Sequence, residues 1–180
     1  MQKHPKIKEI LYDFEYIKKH TIKCADYINN EFKNSKDLII VALLKGSVPF
    51  LAELIKHVSV DHKIDFMIAS SYSGSHASSG NVKIIMDLAF EIENKDVVIV
   101  EDIIDSGITL DKIKKILLSR NPKKLKIVTL MDKPHNRKAD IKADCYGFEV
   151  ADEFLVGFGL DYKEELRNLP YIGIFDEKYL

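Results

Sequence analysis

VVIVEDIIDSGITL, residues 97–110, sets four apolar β-formers directly before Glu101, Asp102 and Asp105 and closes on Ser106-Gly107-Ile108-Thr109. Val97 to Val100 show no polar alternation, as in a strand covered on both faces of a parallel sheet. From Thr109 to Arg120 the residues Leu110, Ile113, Ile116 and Leu117 recur at helical spacing, which predicts a helix with one apolar face. A buried strand thus passes to a helix through a turn approached by three carboxylates. In open α/β sheets ligands bind beyond the carboxyl ends of the strands, where this turn lies.

The neighbouring segments repeat the pattern. DLIIVALLKG (37–46) is a second continuous apolar run, followed by VPFLAELIKHV as a crossover helix. KIDFMIASSY, VKIIMDL and KKLKIVTLMDK read as further strands, and SGSHASSGN between the first two reads as a long loop. In the first thirty positions Ile7, Ile10, Leu11, Phe14, Ile17, Ile22, Ala25 and Ile28 predict two amphipathic helices meeting around Lys19 to Thr21. The aromatic, glycine-broken stretch 143–175 suggests short β segments. The fold class is α/β, an open, mostly parallel sheet flanked by helices.

The chain has 180 residues, 46% of them hydrophobic and 31% charged, with a formal net charge of −1, which describes one globular domain with no general affinity for nucleic acid or an anionic membrane. No signal-like or membrane-spanning apolar run occurs, so the expected compartment is the cytoplasm. Cys24 and Cys145 lack the spacing of a zinc site or disulfide framework. The lysines on and after the 109–120 helix read as a solvated face, and the six histidines show no ligand spacing.

Residues 105–109, DSGIT, fit a phosphate cradle: free backbone N–H groups, a glycine able to take positive φ, and two hydroxyls. The same five residues also fit an ordinary helix cap. The acids separate the two readings. Capping uses one carboxylate at most, whereas Glu101 and Asp102 are adjacent on a strand end and face opposite sides. Acids beside a phosphate cradle suit sugar hydroxyls or a divalent cation, so a phosphorylated sugar accounts for both parts of the motif. No GxxxxGK[ST] motif is present, and GFGLDY (157–162) lacks the third glycine of a dinucleotide fingerprint.

The stretch 97–110 closely resembles the phosphoribosyl-pyrophosphate signature of the type I phosphoribosyltransferases. ALLKGSVPF, SSYSGSHASSGNVKI, TLMDKP and DEFLVGFGLDYKEELRNLPYIG resemble, in order, segments of the hypoxanthine-guanine branch, over roughly residues 37 to 175. The resemblance implies a single domain over 1–180, with a core of about 37–144 and a small hood subdomain from about 1–36 and 145–180. It implies purine salvage: transfer of a phosphoribosyl group from phosphoribosyl pyrophosphate to a 6-oxopurine, with magnesium bound. By similarity Glu101 and Asp102 hold the ribose hydroxyls and metal, and Asp105, Ser106, Gly107, Ile108 and Thr109 bind the 5′-phosphate, with Asp105 as general base. Lys45 and Gly46, preceded in the family by a cis peptide, correspond to the pyrophosphate loop, joined by Arg167. Ser71 and Tyr72 correspond to a lid that excludes water.

Lys133 resembles the lysine that donates to the purine 6-oxo group, an assignment that disfavours adenine because lysine is only a donor. Phe154 corresponds to the residue stacked on the base, and Leu155 offers its backbone where relatives commonly have valine. Asp161 corresponds to an acid beside the base that reaches a second magnesium. The family also implies a homodimer or homotetramer. Other readings are a related transferase acting on adenine, xanthine or a pyrimidine, and a regulator that binds phosphoribosyl pyrophosphate without turnover.

Overall fold

The computed structural model describes residues 2–71 and 82–180. Its main sheet has six strands in the order β4-β3-β2-β5-β6-β7, namely β2 (Leu38–Leu43), β3 (His62–Ser71), β4 (Val82–Met86), β5 (Asp96–Ile104), β6 (Lys124–Asp132) and β7 (Cys145–Glu149). All adjacent pairs are parallel except β3 with the edge strand β4. The pleat divides the apolar runs between two layers. Leu38, Ile40, Ala42, Val98, Val100, Val128 and Leu130 meet helices α1 (Phe14–Glu31) and α2 (Val48–Leu54), and Ile39, Val41, Val97, Ile99 and Ile127 meet α3 (Ile108–Leu118). Because both faces are covered, these strands carry no polar alternation.

The crossover from β2 leads to β3 on one side, and that from β5 leads to β6 on the other. The order therefore reverses between β2 and β5, where an open α/β sheet leaves a crevice for ligand. Lys45, Asp105 and Lys133 all lie just past the carboxyl ends of β2, β5 and β6.

The amino terminus differs from the two predicted helices. Ile7, Ile10 and Leu11 belong to strand β1 (Ile7–Tyr12), and a single α1 follows without a break at Lys19 to Thr21. Asp13 ends the strand and caps the helix, its Oδ1 accepting from Tyr16 N at 2.8 Å. Thr21 is buried inside α1, and its hydroxyl donates to Ile17 O at 2.9 Å, so its polar group is satisfied without interrupting the helix. The short strand period was hidden because three- and four-residue spacings run across the junction. Only the pairing of β1 with β9 (Ile172–Phe175) separates them.

β1, β9 and β8 (Leu155–Val156) form a separate three-stranded antiparallel sheet packed around Ile7, Val156, Leu166, Tyr171 and Phe175. Helix α1 packs into the core beneath the main sheet, and β7 pairs with β6 as its outermost strand. Among the described residues no helix is long and apolar enough to cross a membrane.

Candidate active site

The strand β5 runs past the acids to Ile104, so Glu101 and Asp102 stand inside a strand whose next residues still pair with β6. Asp102 is buried; its Oδ1 accepts from Ile103 N at 2.8 Å. A Cβ on Gly46 would overlap Asp102 Oδ2, which is the local reason for glycine after Lys45. Desolvation raises the Asp102 carboxyl to about 6, with Arg167 pulling it down and Asp161 pushing it up by smaller amounts. Glu101 keeps some exposed surface, yet desolvation first and the Asp102 charge second push its carboxyl well above the usual range. Among the described residues neither acid forms an ion pair.

Beyond Ile104 the chain turns sharply. Asp105 is exposed, Ser106 and Thr109 are partly exposed, and Gly107 takes φ 75° immediately before α3. Neither Ser106 nor Thr109 caps the helix with its side chain. Their donors and the first-turn N–H groups are therefore left for a ligand at a helix N-terminus. Arg137 holds the turn from behind: Nε donates to Asp105 O at 3.0 Å, Nη2 to Ile104 O at 3.1 Å and Nη1 to Ile141 O at 2.6 Å, while Nη2 also pairs with Asp132. Every face of this guanidinium has a partner.

On the other side of the crevice the Leu44–Lys45 peptide bond is cis. A Cβ on Gly159 would overlap Gly46 O, so the loop after β2 and the segment 157–161 touch at two glycines. Arg167 Nη1 donates to Gly159 O at 2.8 Å, and Nη2 pairs with Asp161 Oδ1 at 2.8 Å and Glu164 Oε1 at 3.3 Å. Glu164 Oε2 reaches Lys45 Nζ at 2.7 Å. Lys45, Gly46, Asp102, Asp161 and Arg167, far apart in sequence, are thereby gathered in one place.

Lys133 adjoins the Asp105 turn, its N–H donating to Ile104 O at 3.0 Å. Its buried side chain ends at Glu153 O, 3.1 Å away, and at Asp152 Oδ1, 2.8 Å away. Phe154 follows with 48% of its surface exposed, set edge-on to Tyr162 and Phe175, and Leu155 is buried in β8. A flat ligand would find an open aromatic face beside a buried ammonium. Ser71 closes β3, and Tyr72 with the rest of the expected lid lies outside the described residues.

Arg137, Asp152 and Glu164 were not predicted from the sequence. Arg137 lies four residues beyond Lys133 in a polar stretch without periodicity, and an arginine whose partners are mostly main-chain carbonyls leaves no complementary charge pattern to read. Asp152 and Glu164 stand in runs where several acids look alike.

The model of the phosphoribosyl transferase domain matches residues 9–163. The hypoxanthine-guanine phosphoribosyltransferase of Bacillus subtilis is 50% identical over 174 residues, covering 97% of this chain and 96% of its own. The chain belongs to the hypoxanthine-guanine phosphoribosyltransferase family. A hypoxanthine phosphoribosyltransferase of Buchnera aphidicola is 52% identical over 150 residues, 83% of this chain and 85% of that one. The crystal structure of a hypoxanthine phosphoribosyltransferase from Staphylococcus aureus superposes with a TM-score of 0.93 at 45% identity, covering 98% of this chain and 95% of that chain. These matches bear out the type I phosphoribosyltransferase fold expected from the signature.

The residues fit the magnesium expected of this family. Two desolvated carboxylates without a protein cation suit a hard ion, and magnesium needs only one or two of them, completing its shell with water and substrate oxygens. Asp161 Oδ1 pairs with Arg167, and Oδ2 accepts from Glu164 N at 2.9 Å.

Proposed function

We propose that the chain transfers the 5-phosphoribosyl group of phosphoribosyl pyrophosphate to hypoxanthine or guanine in purine salvage, giving IMP or GMP and pyrophosphate. The observation that carries the base assignment is Lys133, whose buried ammonium ends at Glu153 O, the residue before the half-exposed Phe154, and whose N–H bonds to Ile104, the neighbour of Asp105. A donor-only group there donates to a 6-oxo oxygen and cannot accept from a 6-amino group. The backbone of Leu155 would meet the far edge of the ring.

In this reading Ser106, Gly107, Ile108 and Thr109 hold the 5′-phosphate at the start of α3, with Gly107 supplying the left-handed turn that points the N–H groups outward. Glu101 and Asp102 accept from the ribose hydroxyls and hold magnesium, and Asp161 would reach a second magnesium through water. Magnesium, when bound, supplies positive charge against the diphosphate and ribose oxygens. Lys45, the Gly46 N–H and Arg167 hold the diphosphate. As a ring nitrogen of the purine bonds to C1′, the bond from C1′ to the diphosphate oxygen breaks, and its electron pair leaves with pyrophosphate. The nitrogen's proton passes to Asp105. The exposed Asp105 carboxylate also faces a sugar carbon that becomes positive in the transition state, which favours it electrostatically. Ser71 and Tyr72 belong to the lid over this site. A homodimer or homotetramer in the cytoplasm, proposed by family resemblance, is checked by light scattering on a size-exclusion column.

The test is a spectrophotometric assay with phosphoribosyl pyrophosphate, Mg²⁺ and, separately, hypoxanthine, guanine, xanthine, adenine and uracil. Turnover with hypoxanthine or guanine and none with adenine is expected. Turnover of adenine alone would remove Lys133 from its role.

A further inference from the structure

We propose that the Glu164 carboxylate is a competitor for pyrophosphate built into the leaving-group subsite, holding the two cations, Lys45 and Arg167, that pyrophosphate must bind. The inference rests on the assignment of those cations to pyrophosphate. Glu164 Oε2 lies 2.7 Å from Lys45 Nζ and Oε1 lies 3.3 Å from Arg167 Nη2, so one carboxylate spans both, as two oxygens of a diphosphate would. Its neighbour Glu165 turns the other way, to Lys6 at 3.0 Å. Glu164 is ionised: hydrogen bonding to Lys45 first, then the charge of Arg167, lowers its pKa.

The contact is made to be exchanged. Lys45 and Glu164 are each 62% exposed, and ion pairs in that setting are weak and screened by salt. Arg167 Nε is buried and has no acceptor among the described residues, so the guanidinium that Glu164 holds is one hydrogen bond short. Glu164 also stands at the tip of a tight turn closed by Tyr162 N to Glu165 O at 3.1 Å and Glu165 N to Tyr162 O at 3.0 Å. Its two central residues, Lys163 and Glu164, have φ 51° and 68°, a left-handed pair that favours glycine or asparagine. A carboxylate kept at that tip returns to the cations when pyrophosphate leaves, which speeds release and aligns Lys45 and Arg167 for the next substrate.

Inorganic pyrophosphate with Mg²⁺, titrated calorimetrically into the full chain and its variants, tests this. Glu164→Gln is expected to tighten pyrophosphate binding roughly three- to tenfold, the range set by one or two exposed ion pairs, and Lys45→Ala to weaken it. In Lys45→Ala/Glu164→Gln the tightening should shrink, because one contested cation is gone. A purely structural Glu164 would give the opposite sign, weaker binding on substitution. Unchanged or weaker binding in Glu164→Gln, with Lys45→Ala still harmful, overturns the competitor alone. Unchanged binding in Lys45→Ala overturns the subsite assignment and the competitor with it.

Discussion

The turn at 104–109 and the segment at 157–167 face each other across the crevice, and they are held by opposite means. The first uses one left-handed glycine and is tied from behind by a guanidinium whose bonds are nearly all to main-chain carbonyls. The second contains left-handed Gly157, Phe158, Gly159, Lys163, Glu164 and Leu166 and meets the crevice through side-chain ion pairs open to water. The difference follows the fate of what each is proposed to bind. A 5′-phosphate stays with the product nucleotide and gains from a rigid cradle. Pyrophosphate has to leave, and a rigid, fully satisfied site would retain it.

The comparison breaks first at Asp105, the one acid of the rigid turn assigned a proton. Asp105→Asn should lower kcat by roughly 10²- to 10⁴-fold, measured at saturating substrates; a near-normal kcat would move the base elsewhere. Next is the clamp. Arg137→Ala strands Asp132 and three carbonyls and should lower unfolding free energy by about 3 kcal/mol in urea titration, with a larger rise in KM for phosphoribosyl pyrophosphate than for the purine. Arg137→Lys should recover only part of either effect, because an ammonium cannot span three carbonyls in one plane.

The buried acids sharpen the contrast through pH. Asp102 titrates near 6 in the fold and near 3.9 when unfolded, so the native state binds more protons over that interval. Stability of the protein without ligand should therefore fall as pH rises from about 4 to 6, by on the order of 2 kcal/mol, and continue down more gently because Glu101 is shifted the same way. Affinity for magnesium phosphoribosyl pyrophosphate should climb over the same range, since the ionised acids are the groups proposed to bind it. Melting curves at several pH values for the chain and Asp102→Asn check this; a variant with an unchanged slope would discard the assignment. The smallest effect belongs to the strained turn. Lys163→Gly removes a left-handed side chain and should raise stability by about 0.5–1 kcal/mol, read as a small rise in Tm with kcat unaltered.

Much of the crevice was legible in the sequence because it follows directly from apolar runs. Each of VALL, VVIV and KIVTLM ends in a polar set, and strands buried on both faces place those sets at one rim. The paired acids and the glycine after them were readable for the same reason: their chemistry conflicts with a buried strand unless a ligand answers it. The first thirty residues were misread because spacings of three and four are shared by a strand followed by a helix, and β9, some 160 residues away, decides which is which. Arg137 was invisible since carbonyl acceptors are the same at every residue.

The sequence alone determined an open, mostly parallel sheet, the rim where a ligand is proposed to bind and the kinds of side chain offered there, because local periodicity and residue chemistry carry that information. The tertiary structure decided which of those side chains meet. Glu164 lies between Lys45 and Arg167, and Arg137 behind Asp105, through chain crossings that no local pattern encodes, and a contact between distant residues is a property of packing rather than of either segment.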